Sequence, residues 1–162
     1  MSKQIKISDT ITITTNHVMP NQLNGHNTMF GGEILSLIDR TAAISANLVT
    51  KEPIATVSLD EVNFIKPILP NSIYTLTCYA SGTDDRSIEV FFKIKARELK
   101  ENQMQTKVTG FITFALLNSA TLDLELHPTN PEEEYVLDHF TARLEKRGIK
   151  IANLRDLLKI ID

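Results

Sequence analysis

The chain has 162 residues, 42% of them hydrophobic and 23% charged, which suits one globular domain with enough apolar residues for a core. A formal net charge of -3 argues against a general nucleic-acid binder while leaving room for an anionic small ligand held by a local basic cluster. A single cysteine, Cys78, offers no internal disulfide. The N-terminus has no apolar run of signal-peptide length, and no stretch approaches the roughly 18 to 20 apolar residues of a membrane span. A cytoplasmic protein without membrane attachment is expected.

Ile5, Ile7, Ile11 and Ile13 alternate with polar residues, which predicts a half-buried strand or hairpin arm. Pro20, Asn21, Asn24, Gly25 and Asn27 then mark a loop. From Gly31, apolar residues at spacings of three and four (Ile34, Leu37, Ile38, Ile44, Leu48) predict a helix that ends near Lys51, before Pro53. It is too apolar for a surface helix and is expected to be wrapped by sheet. Asp39 sits in its middle, flanked at helical spacing by Ser36, Ala42, Ala43 and Ala46. Small neighbours of that kind leave room for a ligand.

Four strand signals follow: Ile54 to Ile65, Ile73 to Ala80, Ser87 to Arg97 and Lys107 to Leu117, with a turn over Gly82 to Asp85. In the third, Ile88, Val90, Phe92, Ile94 and Ala96 are expected to face in. Glu89, Lys93, Lys95 and Arg97 are expected to face out, with Phe91 as an exception. Gly110 predicts a bend or a close approach. Turns this short give antiparallel pairing, so the fold class is α+β: an antiparallel sheet curled around one long central helix. From Pro131 a helix with acidic start and basic end is predicted, with Gly148 as its C-cap and a second short helix over Asn153 to Ile161. This tail reads as an addition to the sheet domain.

The chemistry concentrates between Pro20 and Ala46. Glycines at a helix start let a ligand approach unpaired backbone N–H groups, which favour negative charge developing on a carbonyl oxygen. Asp39 offers a carboxylate that can serve as general base or nucleophile, or simply bond to a neighbour such as Arg40 or Thr41. At about 1.5 Å rise per residue, Asp39 lies roughly 10 Å along the helix from the Gly31 and Gly32 amides. Groups that far apart act on one carbonyl carbon only if they come from different chains, as in a two-fold dimer with two equivalent sites. His17, His127 and His139 lack metal-ligand spacing, so no metal is expected, and Cys78 reads as a packing residue.

Asn24, His26, Phe30-Gly31-Gly32 and Asp39, with Thr56 and the segment Phe64-Ile65-Lys66-Pro67, resemble the hotdog-fold acyl-CoA thioesterases over about Thr14 to Leu117. The resemblance implies residues 1–128 as a hotdog domain and 129–162 as a C-terminal helical extension. It implies hydrolysis of acyl-CoA to free acid and CoA, a place in fatty acid metabolism, and no cofactor, since CoA belongs to the substrate. Asn24, Gly32, Asp39 and Thr56 would be catalytic, with Asn24 and the Gly32 amide of one chain facing Asp39 and Thr56 of another. His26, Phe30, Gly31, Lys66, Arg86 and Ser87 would bind substrate. A homodimer at least, and a hexamer built as a trimer of dimers, is implied. Asn27-Thr28 departs from relatives that often carry a Gly there. Two alternatives compete: a hotdog dehydratase or hydratase using His26 with a carboxylate, and a non-catalytic acyl-CoA sensor.

Overall fold

The computed structural model of the protein describes residues 2–161. Its main sheet has five strands in the order β2-β4-β5-β6-β3, all neighbours antiparallel. They are β2 (Thr12–His17), β3 (Ile54–Phe64), β4 (Ile73–Thr83), β5 (Ser87–Arg97) and β6 (Gln105–Leu116). The long helix α1 (Gly31–Thr50) packs on one face of this sheet, burying Ile34, Ile38, Ala42, Ala46 and Val49 against Leu76, Val90, Phe92 and Ile112. It ends where Lys51 takes a left-handed conformation at φ 53°, two residues before Pro53. The expected α+β arrangement is present.

The helix is only half wrapped, because Leu35, Ile44 and Leu48 on its far side remain exposed. The small residues around Asp39 divide as well: Ala42 and Ala46 are fully buried in the core, leaving Ser36 and Ala43 on the open side.

The first alternating stretch is interrupted. Strand β1 (Lys3–Lys6) pairs in parallel with β7 (Leu124–His127) as a separate small sheet, and a 3-10 turn over Ile7–Thr10 precedes β2. Thr10 holds that turn by donating to the Ile7 carbonyl at 2.7 Å and accepting from the Ala80 amide at 2.9 Å. The turn shifts the parity, so Ile13 points outward and is 61% exposed. Strand β4 also runs through the expected turn to Thr83, with a register shift at Gly82. β3 and β4, although consecutive, are not neighbours: their link crosses three strand spacings, about 14 Å. Gly110 is a close approach as expected, since a Cβ there would lie 2.6 Å from the Phe92 ring.

The tail forms α2 (Pro131–Asp138) and α3 (Phe140–Ile161). Asn130 caps α2 by accepting from the Glu133 amide at 3.0 Å. The break falls at His139, and Gly148 lies inside α3, so neither a Gly148 cap nor a separate helix from Asn153 is present. The tail covers the sheet face opposite α1. There Tyr79, Phe91 and Phe111 form an aromatic row with ring centroids 5.2 and 5.4 Å apart, which accounts for the outward Phe91. Arg143 stacks 3.9 Å above Phe111 and donates to Glu89 at 2.8 Å. Glu89, expected in solvent, is 2% exposed because Arg143 and Arg147 supply its counter-charges. The cue lay in two arginines one helical turn apart, opposite a lone acid on an otherwise basic outer strand face.

Candidate active site

The segment 20–30 folds around the Asn24 side chain. Its Oδ1 accepts from the His26 amide at 2.9 Å and the Thr28 amide at 3.2 Å, while Nδ2 donates to the Thr28 hydroxyl at 3.0 Å. These bonds hold a turn in which Asn27 takes φ 57°, a conformation glycine favours and asparagine tolerates. Asn27 thus takes up the backbone conformation that a glycine would favour. His26 is exposed, and Asn24 is its bonding partner through the backbone alone.

The loop delivers the chain to the start of α1. Phe30 occupies the N-cap, with its amide bonded to the Gln22 carbonyl at 2.7 Å and no side-chain oxygen to offer the helix. The first amides, those of Gly31 and Gly32, thus lack intrahelical partners. The Phe30 ring lies over Gly32 so closely that a Cβ would come within 2.5 Å of it. A Cβ at position 32 would push that half-exposed ring aside. At Gly31 the nearest atoms to a Cβ would be on Phe64 at 3.9 Å, an ordinary contact. Asn24, Thr28, Gly31, Phe64 and Lys66 line one cavity of about 290 Å³. Lys66 reaches Gln105 at 3.2 Å and otherwise meets solvent.

Asp39 belongs to a different place. It lies two turns up α1 on the open side, half-buried, and accepts the Thr56 hydroxyl at 2.6 Å. Thr56 stands on edge strand β3 beside an irregularity in the β3–β6 register that leaves Val57 57% exposed. The fold therefore brings together Asp39 with Thr56, and Asn24 with the helix start and Lys66. Within one chain the two groups stay apart, by roughly 10 Å of helix rise from Gly32 to Asp39.

Arg86 and Ser87 join neither group. The Arg86 guanidinium donates to the Leu116 and Ala120 carbonyls at 3.3 and 3.4 Å, and the Ser87 hydroxyl to Asp84 at 2.7 Å. Both border a groove beside α3 on the outer sheet face. Cys78 is buried, and burial pushes its thiol well above the ordinary range, which suits packing and not nucleophilic chemistry. Among the described residues no group of His, Cys, Asp and Glu side chains is placed to hold a metal, and no helix is long and apolar enough to cross a membrane.

Comparison with known proteins agrees with this architecture. The thioesterase superfamily matches residues 26–102. An uncharacterized acyl-CoA thioester hydrolase of Bacillus subtilis, YkhA, is 35% identical over 131 residues, covering 80% of this chain and 76% of its own. Among solved structures, an acyl-CoA hydrolase from Staphylococcus aureus, in complex with butyryl coenzyme A, coenzyme A and coenzyme A disulfide, superposes with a TM-score of 0.91 at 25% identity over 98% of both chains. An acyl-CoA hydrolase from Bacillus cereus gives a TM-score of 0.89 at 28% identity, again over 98% of both chains. The chain therefore belongs to the hotdog-fold acyl-CoA thioester hydrolases of the thioesterase superfamily.

Proposed function

We propose that the protein hydrolyses acyl-CoA thioesters in a site completed by two copies of the chain. Asn24 and the Gly32 amide come from one copy, and Asp39 and Thr56 from the other. The observation that carries this reading is the pairing within each half and the gap between them. Thr56 bonds Asp39 at 2.6 Å, while Asn24 and Gly31 line a separate cavity. Exposed Ile44 and Leu48 on α1, with Val57 and Phe64 on β3, supply an apolar surface through which two copies would meet. A trimer of such pairs is the larger assembly proposed.

In this reading the thioester carbonyl oxygen sits at the start of α1. The Gly31 and Gly32 amides, aided by the helix dipole, stabilise the charge that develops on it. Asn24 orients water or polarises the carbonyl, and Thr56 fixes the rotamer of Asp39. By the general-base route, Asp39 takes a proton from water as the water oxygen bonds to the acyl carbon. The tetrahedral adduct then expels CoA thiolate, which receives that proton. By the nucleophilic route, Asp39 itself displaces the thiolate to form an anhydride, and water cleaves it. Lys66, beside Asn24 and Gly31, is the proposed phosphate contact, while His26, Phe30 and Gly31 border the substrate path. Arg86 and Ser87 are already engaged within the chain and are left out of this set.

Thiol release from a range of acyl-CoAs, compared between the wild type and Asp39→Ala, tests the proposal. Loss of release in the variant is expected. An unchanged rate contradicts the mechanism, and no release by the wild type at any chain length favours a sensor. Single turnover in oxygen-18 water tests the nucleophilic route: label in Asp39 marks the anhydride, because direct attack by water on the thioester cannot place it there.

A further inference from the structure

Helix α3 crosses the outer sheet face strand by strand. Phe140 lies against Gly82 of β4, Arg143 bonds Glu89 of β5, Arg147 donates to Thr113 of β6 at 2.8 Å, and Lys150 bonds Asp60 of β3 at 2.7 Å. Ten residues of helix rise, about 15 Å, match the roughly 14 Å from β4 to β3, so the helix runs nearly perpendicular to the strands. β3 is the sheet's edge. The helix nevertheless continues to Ile161, and every residue from Gly148 to Ile161 is exposed.

The overhang keeps the face that sits on the sheet. Phe140, Arg143 and Arg147 continue at spacings of three and four into Ile151, Leu154, Leu158 and Ile161, with Leu157 beside them. These five side chains are between 41% and 64% exposed. Ile151 and Leu154 still border the outer face at β3, while Leu157, Leu158 and Ile161 continue beyond it, and an apolar helix end of this kind calls for a cover.

A groove of about 760 Å³ runs along the flank of α3 over β3, β6 and β5, bordered by Val57, Leu59 and Ala115 of the sheet and by Leu144, Ile151 and Leu154 of the same helix, with Asp84, Arg86, Arg147 and Lys150 at its polar margin. It begins at the β3 edge, over which the helix of a second copy would arrive. The geometry points to reciprocal exchange: residues 151–161 of each chain lie in the outer-face groove of a second copy that meets it at β3. Its Leu157, Leu158 and Ile161 fill the apolar part, against the Ile151 and Leu154 that line it. One two-fold axis generates both contacts, with the two α3 helices antiparallel. The tail then braces, from outside, the edge strand that carries Thr56. The exchange builds on the paired-chain reading above and assigns the tail to the same pair.

Hydrogen–deuterium exchange on the full chain, under conditions where it is associated, tests this at the amides of 151–161. Exchange at least about tenfold slower than in Leu154→Glu/Leu158→Glu is expected. Ala115→Trp blocks the groove, and because Ile151 and Leu154 of the same chain also line it, its effect is read at the amides of 157–161. The substitution is expected to speed exchange there to the same extent while β4 and β5 amides stay protected. Three results overturn the exchange: an unprotected tail in the associated wild type, protection that survives Ala115→Trp, or protection gained only on adding lipid vesicles or another protein. Thiol release on the same samples keeps the two readings apart. An associated, active protein with an unprotected tail overturns helix exchange alone, whereas a fully active monomer overturns both.

Discussion

Thr56 donates its hydroxyl proton to Asp39 across 2.6 Å, tying edge strand β3 to the middle of α1. The bond joins residues 17 positions apart and fixes a half-buried carboxylate on the open side of the helix. A hydrogen bond to a charged group contributes about 1.5–3 kcal/mol, so Thr56→Val is expected to lower kcat roughly tenfold to a hundredfold. Thr56→Ser, which keeps the hydroxyl, restores most of it. Steady-state thiol release checks both, and an unimpaired Thr56→Val removes Thr56 from the positioning role.

The two glycines that open α1 are not equivalent. A methyl at Gly32 meets the Phe30 ring at 2.5 Å, and one at Gly31 meets Phe64 at 3.9 Å. Gly32→Ala displaces the ring and the amide beneath it, and a loss in kcat of about tenfold or more is expected, as for a misplaced oxyanion donor. Gly31→Ala is expected to stay within about threefold of the wild type, a change of under 1 kcal/mol. Equal losses at both positions would show that ring displacement is not the cause.

Glu89 and Arg143 form an ion pair with side chains 2% and 9% exposed. Removing Arg143 leaves the buried Glu89 with Arg147 at 3.5 Å as its remaining counter-charge, so the cost falls below the roughly 3–5 kcal/mol of a fully unpaired buried charge. Arg143→Met is therefore expected to lower the unfolding midpoint by several degrees, and Glu89→Gln/Arg143→Met to recover part of that loss. Calorimetry of the singles and the double checks it. Strict additivity would mean the pair is not coupled.

Asp60 links stability to pH. Burial alone would raise its carboxyl, but hydrogen bonds from Lys150 and Ser58 and the charges of Lys150 and Arg147 outweigh it and hold the group below its ordinary value of 3.8. A carboxyl depressed on folding adds stability that is fully present above its unfolded value and lost as pH falls through the folded one. The tail contact to β3 is expected to weaken below about pH 4, and Asp60→Asn to flatten that part of the profile. Denaturant midpoints from pH 6 down to pH 3 measure it. A variant with the wild-type slope would place the linkage elsewhere.

Much of this was legible from sequence wherever one periodicity held. The alternation of Ser87 to Arg97 located β5 to the residue, and the i, i+3, i+4 pattern after Gly31 located α1. The motif running from Asn24 to Thr56 points to residues of which the fold brings Asp39 and Thr56 into contact. Ile13 and Glu89 were misread for a shared reason: alternation gives a residue's side of the strand but not what covers that side. A 3-10 turn reverses parity before Ile13, and a helix some 50 residues downstream of Glu89 brings it arginines. Gly148 was misread because glycine permits a helix end without imposing one, and the buried Arg143 and Arg147 anchor α3 on the sheet just before it.

Co-expression of Asn24→Ala with Asp39→Ala tests the shared site most directly. Each variant alone is expected to be inactive, because each lacks the same half of both sites. In mixed pairs one site joins the intact Asn24 of one chain to the intact Asp39 of the other. Random pairing makes half the dimers mixed, each with one working site of two, so thiol release should return to about one quarter of the wild-type rate. No recovery in a preparation shown to contain mixed dimers would place Asn24 and Asp39 in the same chain's site and contradict the account.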